Sequence, residues 1–267
     1  MDMDTMPTTR EPAVAGSFYP ATEKELDLLV SSLLQQADED TGSFSPKAII
    51  APHAGYIYSG SVAASAYSTL KNINFNRVLL LGPTHRVPFY GMALSRATIF
   101  RTPLGSIPVD TIAVNKLHSC HDCEFNDAAH MQEHSLETQL PFLQKIAKND
   151  FSIIPVLVSD IDYATAANLL SEIIDDEKTI TVISSDLSHF HTYDEAKELD
   201  VITSGKILAL NDNPICGKEA CGCHSINVIL EVARQRNWTV SRLEEKNSGD
   251  TFGSRDSVVG YGAYCFE

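Results

Sequence analysis

The sequence predicts an α/β fold, a single-domain αβα sandwich around a central mixed, mostly parallel sheet. Three observations predict it. Short, near-continuous apolar runs alternate with longer amphipathic stretches, the pattern of buried parallel strands joined by crossover helices. Apolar residues make up 43% of the 267-residue chain, enough for one large core. No Gly/Ser/Pro linker, low-complexity tract or internal repeat divides it, so residues 13–267 read as one domain and 1–12 as a loosely held tail.

Taken in order, a helix is expected at about 22–38, then a strand over 47–51 (Lys-Ala-Ile-Ile-Ala) and a helix at about 59–70. The run Asn-Arg-Val-Leu-Leu-Leu-Gly over 76–82 is the second buried strand, followed by helices at about 110–119 and 133–148. The latter opens on Glu133-His-Ser-Leu-Glu137 and continues through Leu140, Phe142 and Leu143. Strands over 151–158 and 179–184 enclose a helix at about 161–175, and two more helices follow at about 193–210 and 221–236. The end of the chain differs, with strand-like runs over 238–243 and 257–266 around the turn-rich residues 246–250, expected to extend the sheet.

Composition excludes several partners. The 35 carboxylates against 20 Lys and Arg give a net charge of −15, which repels phosphate backbones and anionic lipid, so neither nucleic acid nor a membrane is expected as a partner. No apolar run reaches the roughly 18 residues of a membrane span, and the N-terminus lacks the basic and apolar regions of a signal peptide. A cytoplasmic location is therefore expected. Six cysteines are too few for a disulfide scaffold and read as reduced thiols.

In open α/β sheets chemistry gathers where parallel strands end. Three predicted strand ends each deliver a histidine: His53 in Ala51-Pro-His-Ala-Gly-Tyr-Ile-Tyr-Ser-Gly60, His85 in Gly82-Pro-Thr-His-Arg86, and His189 in Ser184-Ser-Asp-Leu-Ser-His-Phe190. Neutral imidazoles are common metal ligands and titrate near neutral pH, so the three are expected to share a site. Cys216-Gly-Lys-Glu-Ala-Cys-Gly-Cys-His224 opens the helix containing Ile226, Val228, Ile229 and Leu230. A thiolate there gains from the helix dipole, and either Cys221 or Cys223 can serve as a ligand.

Six ordered motifs carry a resemblance over nearly the whole chain: Arg10-Glu-Pro-Ala-Val-Ala-Gly-Ser-Phe-Tyr-Pro20, Ala51-Pro-His-Ala-Gly-Tyr56, Gly82-Pro-Thr-His85, Glu133-His-Ser-Leu-Glu137, Ser184-Ser-Asp-Leu-Ser-His189 and Cys221-Gly222. The sequence resembles the Memo family, also called AmmeMemoRadiSam system protein B, which is related to class III LigB-like extradiol dioxygenases. The resemblance implies that His53, His85 and Cys221 hold one metal ion, iron or copper, with zinc as a further candidate. Cysteine stands where the dioxygenases have glutamate. A two-histidine, one-thiolate set is softer than the dioxygenase set and suits copper and zinc as well as iron, so ring cleavage is not inherited automatically. The resemblance further matches Asp186 and His189 to pocket residues, His189 to the dioxygenase acid/base. It also implies a functional association with radical S-adenosylmethionine and AMMECR-type proteins.

Two functions follow: a metal-dependent redox enzyme, or a binding module that takes a small anionic ligand or a phosphorylated or acidic peptide in the same pocket. Tyr56, Tyr58, His134 and Cys223 are candidate pocket residues, and Gly16-Ser-Phe-Tyr-Pro20 offers further wall candidates. Cys223 and His224 depart from the family pattern directly after its Cys-Gly. The C-x2-C pair Cys120/Cys123 competes as half of a structural zinc site with Cys216, Cys221 and Cys223, but no second C-x2-C accompanies it. The spacing of Glu133-His134 is not that of a zincin helix.

Overall fold

The structure, a computed structural model, describes residues 8–37 and 44–267. In chain order its elements are β1 (Thr9–Arg10), α1 (Glu23–Ala37), β2 (Ala48–Ala51), α2 (Tyr56–Ser68), β3 (Arg77–Gly82), β4 (Met92–Leu94), β5 (Ile99–Thr102), β6 (Gly105–Pro108), α3 (Thr111–His118), β7 (Cys123–Phe125) and α4 (Asp127–Met131). A short 3-10 turn, Glu137–Gln139, leads into α5 (Leu140–Ile146), then β8 (Ser152–Val158), α6 (Tyr163–Ile174), β9 (Thr179–Ser184), β10 (His189–His191), α7 (Tyr193–Leu208), α8 (Cys223–Arg236), β11 (Val240–Asn247) and β12 (Val258–Phe266).

The four apolar runs become the parallel heart of a nine-stranded sheet, in the order β2-β9-β3-β8. Their side chains are buried almost without exception, which is why they lack the alternation of a half-exposed strand. The C-terminal strands extend this sheet as expected: β12 runs antiparallel to β2 and carries β11 and β10. On the other edge β4 pairs antiparallel with β8, and β7 pairs with β4. Pro155 is tolerated inside β8 because β4 pairs only with Val156, Leu157 and Val158, leaving no partner that needs its missing N–H. Helices flank the sheet. Helix α2 lies against β2, β11 and β12 with α1 and α5 packed on it; α6 and α8 lie against β9, and α3 against β8.

Helix ends follow local chemistry. Asp110 and Asp162 accept the N–H groups of Ala113 and Thr165 as N-caps, Thr192 and Glu195 close a capping box on α7, and Asn237 ends α8 in the left-handed region. The helix expected from 133 begins later, at α5, because the carboxylate of Glu133 captures the amides of His134 and Ser135 in a turn.

Residues 1–7 of the expected tail lie outside the described residues; of its remainder, Thr9 and Arg10 pair with β5 in a second, three-stranded sheet, β1-β5-β6, and Arg10 is 7% exposed. The stretch between 83 and 131, read only as containing one helix, also holds four short strands and α4. Among the described residues, no helix is long and apolar enough to cross a membrane.

Candidate metal centre

The neighbouring strands β2, β9 and β3 end side by side, with Ala51 level with Ser184, and Leu81 level with Ile183. The chain therefore leaves three adjacent strands within a few residues of His53, Asp186 and His85. Cys221 arrives from the turn before α8. Gly222 permits this approach, since a Cβ there would lie 2.6 Å from the Ser185 Cβ and 2.7 Å from the Ser184 carbonyl oxygen. One nitrogen each of His53 and His85 and the sulfur of Cys221 lie within 4.8 Å of one another.

Hydrogen bonding fixes which nitrogens are free. The one proton of the Ser184 hydroxyl goes to the Ser135 carbonyl at 2.6 Å, and the same oxygen accepts the Gln139 amide at 2.8 Å. Gln139 is itself oriented, donating to the Pro52 carbonyl and accepting from Tyr67. The remaining contact of Ser184, to His53 Nδ1 at 2.8 Å, must then be donated by the imidazole, so Nε2 of His53 carries a lone pair. That nitrogen lies 3.2 Å from Cys221 Sγ.

His85 is set by a carboxylate instead. Its backbone N–H donates to Glu133 Oε2 at 2.6 Å and its Nδ1 to Oε1 at 2.8 Å, which again leaves Nε2 free. Burial alone would raise Glu133; the His85 imidazole and the amides of Ser135 and His85 overcome that and hold it at about 2. Glu133 also groups with His85 and His134 as a donor cluster. Its oxygens, however, already accept from His85, His134 and Ser135, so it serves as an orienter of a ligand rather than as one.

His134 does belong to the cluster. Its ring stacks on His85 at 4.5 Å, meets His53 edge-on at 5.4 Å, and packs against Phe18 at 4.7 Å. Burial, then the neighbouring imidazoles, push both His53 and His134 below the usual imidazole range, so the rings are neutral.

The thiol does not behave as its position before a helix suggests. Burial first, and the nearby Asp186 carboxylate second, push Cys221 well above the ordinary thiol range. Desolvation outweighs the helix dipole here, and only a cation between Cys221 and the imidazoles would favour the thiolate. Asp186 is 4% exposed; it accepts the His53 N–H at 2.8 Å, and burial raises its pKa against the opposing effect of His189. His189 sits on β10 within electrostatic reach of Asp186 and His53, yet no hydrogen bond joins it to Asp186. The interaction between His189 and Asp186 is thus electrostatic, while Asp186 Oδ1 accepts the His53 backbone N–H.

Two candidate pocket residues lie elsewhere. Tyr56 points into the aromatic core, its hydroxyl donating to the Thr138 carbonyl and its ring 5.0 Å from Phe142. Cys223 is the first residue of α8 and packs in the hydrophobic core. His224 faces Tyr163. Tyr58 is half-exposed beside Phe252. Among the described residues, Cys120 and Cys123 join no cluster of three donor groups.

Sequence reading missed the support behind the site. Arg10 donates to the Glu137 carboxylate and to the carbonyls of His130 and Glu133. Glu137, fully buried, also accepts from Ala13, Val14 and the Tyr19 hydroxyl. The first and fourth motifs are therefore two halves of one buried clamp. A cation and a carboxylate embedded in apolar motifs were its visible signal.

The family model described as Memo-like protein matches residues 10–265. The chain is 36% identical over 262 residues to a MEMO1 family protein of Aquifex aeolicus, covering 94% of this chain and 97% of that protein. A MEMO1 family protein of Methanosarcina mazei is 35% identical over 275 residues, covering 97% of this chain and 99% of its own length. One from Thermoplasma volcanium is 32% identical over 262 residues, with 94% and 96% covered.

Proposed function

Given that the chain belongs to the Memo-like protein family, we propose that it is a metal-binding redox protein whose ion is held by His53, His85 and Cys221. One observation carries this reading: two imidazoles are each fixed, by Ser184 and by Glu133, in the tautomer that offers Nε2, beside one thiol sulfur. Such a donor set fits iron or copper, and zinc by softness. A bound iron or copper ion would supply one-electron chemistry and Lewis acidity at this position.

The residues of the chain do the rest. Glu133 and Ser184 keep both rings from rotating, which lowers the reorganisation needed to bind an ion. Cys221 would hold the ion as a thiolate, so its thiol proton would be released on metal uptake. Asp186 fixes the His53 backbone, and His189, whose charge reaches both His53 and Asp186, would move a proton in the site. With a soft thiolate in place of a hard carboxylate, oxidation of a small substrate is a better expectation than cleavage of a catechol ring.

The test pairs metal analysis of anaerobically purified protein with binding of phosphotyrosine peptide, in wild type and His85→Ala. Stoichiometric iron or copper in the wild type and its loss in His85→Ala support the reading. Equal metal content in both proteins, or peptide binding indifferent to metal removal, favours the alternative of a pocket used only for binding.

A further inference from the structure

Asp200 lies on α7, behind β10, and is 3% exposed. No lysine or arginine pairs with it among the described residues, although buried carboxylates are seldom left without a cation. Its one short polar contact is the Ser188 amide, which donates to Oδ1 at 3.0 Å. Residue 260 makes room for it: a Cβ there would lie 2.8 Å from Oδ1 and 2.6 Å from Cγ, so only glycine lets the carboxylate reach between α7 and β12.

The segment Asp200 reaches is the one that presents His189. Leu187 donates to the Gly260 carbonyl and Gly260 to the Ser188 carbonyl, both at 2.8 Å, and His189 is level with Val259. Directly after it Phe190 takes φ +62, a region bulky side chains avoid, and is 80% exposed. The unfavourable backbone buries no ring, so packing of Phe190 does not account for it. It marks a bulge in β10, where His189 and His191 pair with the consecutive residues Val259 and Val258, while Asp200 and Gly260 hold the residue just before.

We propose that Asp200 is a positioning residue for the candidate metal centre, one that pins the Ser188 amide next to His189 and presents its charge to the His189 ring. The inference rests on the reading of His189 as the group that moves a proton there. Asp186 from the loop after β9, His53 from the loop after β2 and Asp200 from α7 all interact electrostatically with His189, and Glu245 of β11 with Asp200. Burial raises Asp200 to about 6, against the Ser188 amide hydrogen bond, so it still carries negative charge above neutral pH. An asparagine would satisfy the same amide without that charge.

The experiment is an NMR titration of the His189 ring in the metal-free full chain, in wild type, Asp200→Asn and Asp200→Ala. Asp200→Asn should leave the Ser188 amide signal in place and lower the His189 midpoint by roughly half a pH unit or more, the field of one nearby charge. Asp200→Ala should in addition displace the Ser188 amide and the His189 ring signals at high pH. Superimposable His189 curves in wild type and Asp200→Asn overturn the proposal, and this comparison decides it even where Asp200→Ala does not fold. Metal uptake by the wild type is measured separately, so failure of the metal reading leaves this titration to be judged alone.

Discussion

Glu133 and Asp186 both stand behind a histidine of the site, yet they are held in opposite ways. Glu133 is wrapped by N–H donors from His85, His134 and Ser135 and stays ionised, down to about 2. Asp186 accepts the single short N–H bond of His53, and burial drives it upward. The difference separates two jobs. The Glu133 side is a rigid mount that fixes a ring and its tautomer, whereas on the Asp186 side burial holds Asp186 and Cys221 toward their protonated forms.

The largest effect that can break this comparison lies in the mount. Arg10→Ala leaves Glu137 buried without its cation, and stability should fall by about 3–5 kcal/mol, read by urea denaturation. A loss near zero would mean that the clamp between the first and fourth motifs is not structural. Next, Glu133→Ala strips the acceptor from His85 and should cost about 3 kcal/mol of stability and 10- to 100-fold in metal affinity, roughly the effect of losing a ligand's orienting group. Titration with iron(II) or copper(I) measures the second quantity.

Acid should loosen the same mount. His130, behind Arg10, is pushed by burial from 6.5 to about 4 and donates Nε2–H to the Ala93 carbonyl at 2.9 Å. Its folded pKa is depressed, so its contribution is intact above the unfolded value and is lost as pH falls between about 6.5 and 4. The loss is on the order of 2–3 kcal/mol, and the stability of His130→Gln should be flatter than that of wild type across this window. Parallel curves would remove His130 from the account.

Smaller effects sharpen the boundary of the site. Ser184→Ala removes the acceptor that sets the His53 tautomer and should weaken metal binding about tenfold, with a stability loss of about 1–2 kcal/mol. Cys223→Ala should change metal affinity by less than about twofold, since it trims only core packing. A large loss of metal in Cys223→Ala would show that the wrong thiol has been assigned.

Most of the architecture was legible because buried parallel strands write themselves as unbroken apolar runs, as in 76–82 and 179–184. What stayed hidden was short and paired by context. Strands β4 to β7 have three or four residues each, and their pairing depends on neighbours distant in sequence. The candidate donors were legible from strand ends and the family motifs, and the structure brings His53, His85, Cys221 and His134 together. Tyr56 and Cys223 sit beside functional residues in sequence but on the other side of a helical turn, which spacing alone did not separate. Ser184 stands in a motif, but its role, like those of Gln139 and Asp200, lies in hydrogen bonds to partners that no local spacing reveals.

The central claim is that His53, His85 and Cys221 act as one ligand set. Elemental analysis of anaerobically purified wild type, His53→Ala and Cys221→Ala tests it most directly. One iron or copper ion per chain in the wild type, with the metal lost in both folded variants, is the predicted result. The same metal content in Cys221→Ala as in wild type would contradict it.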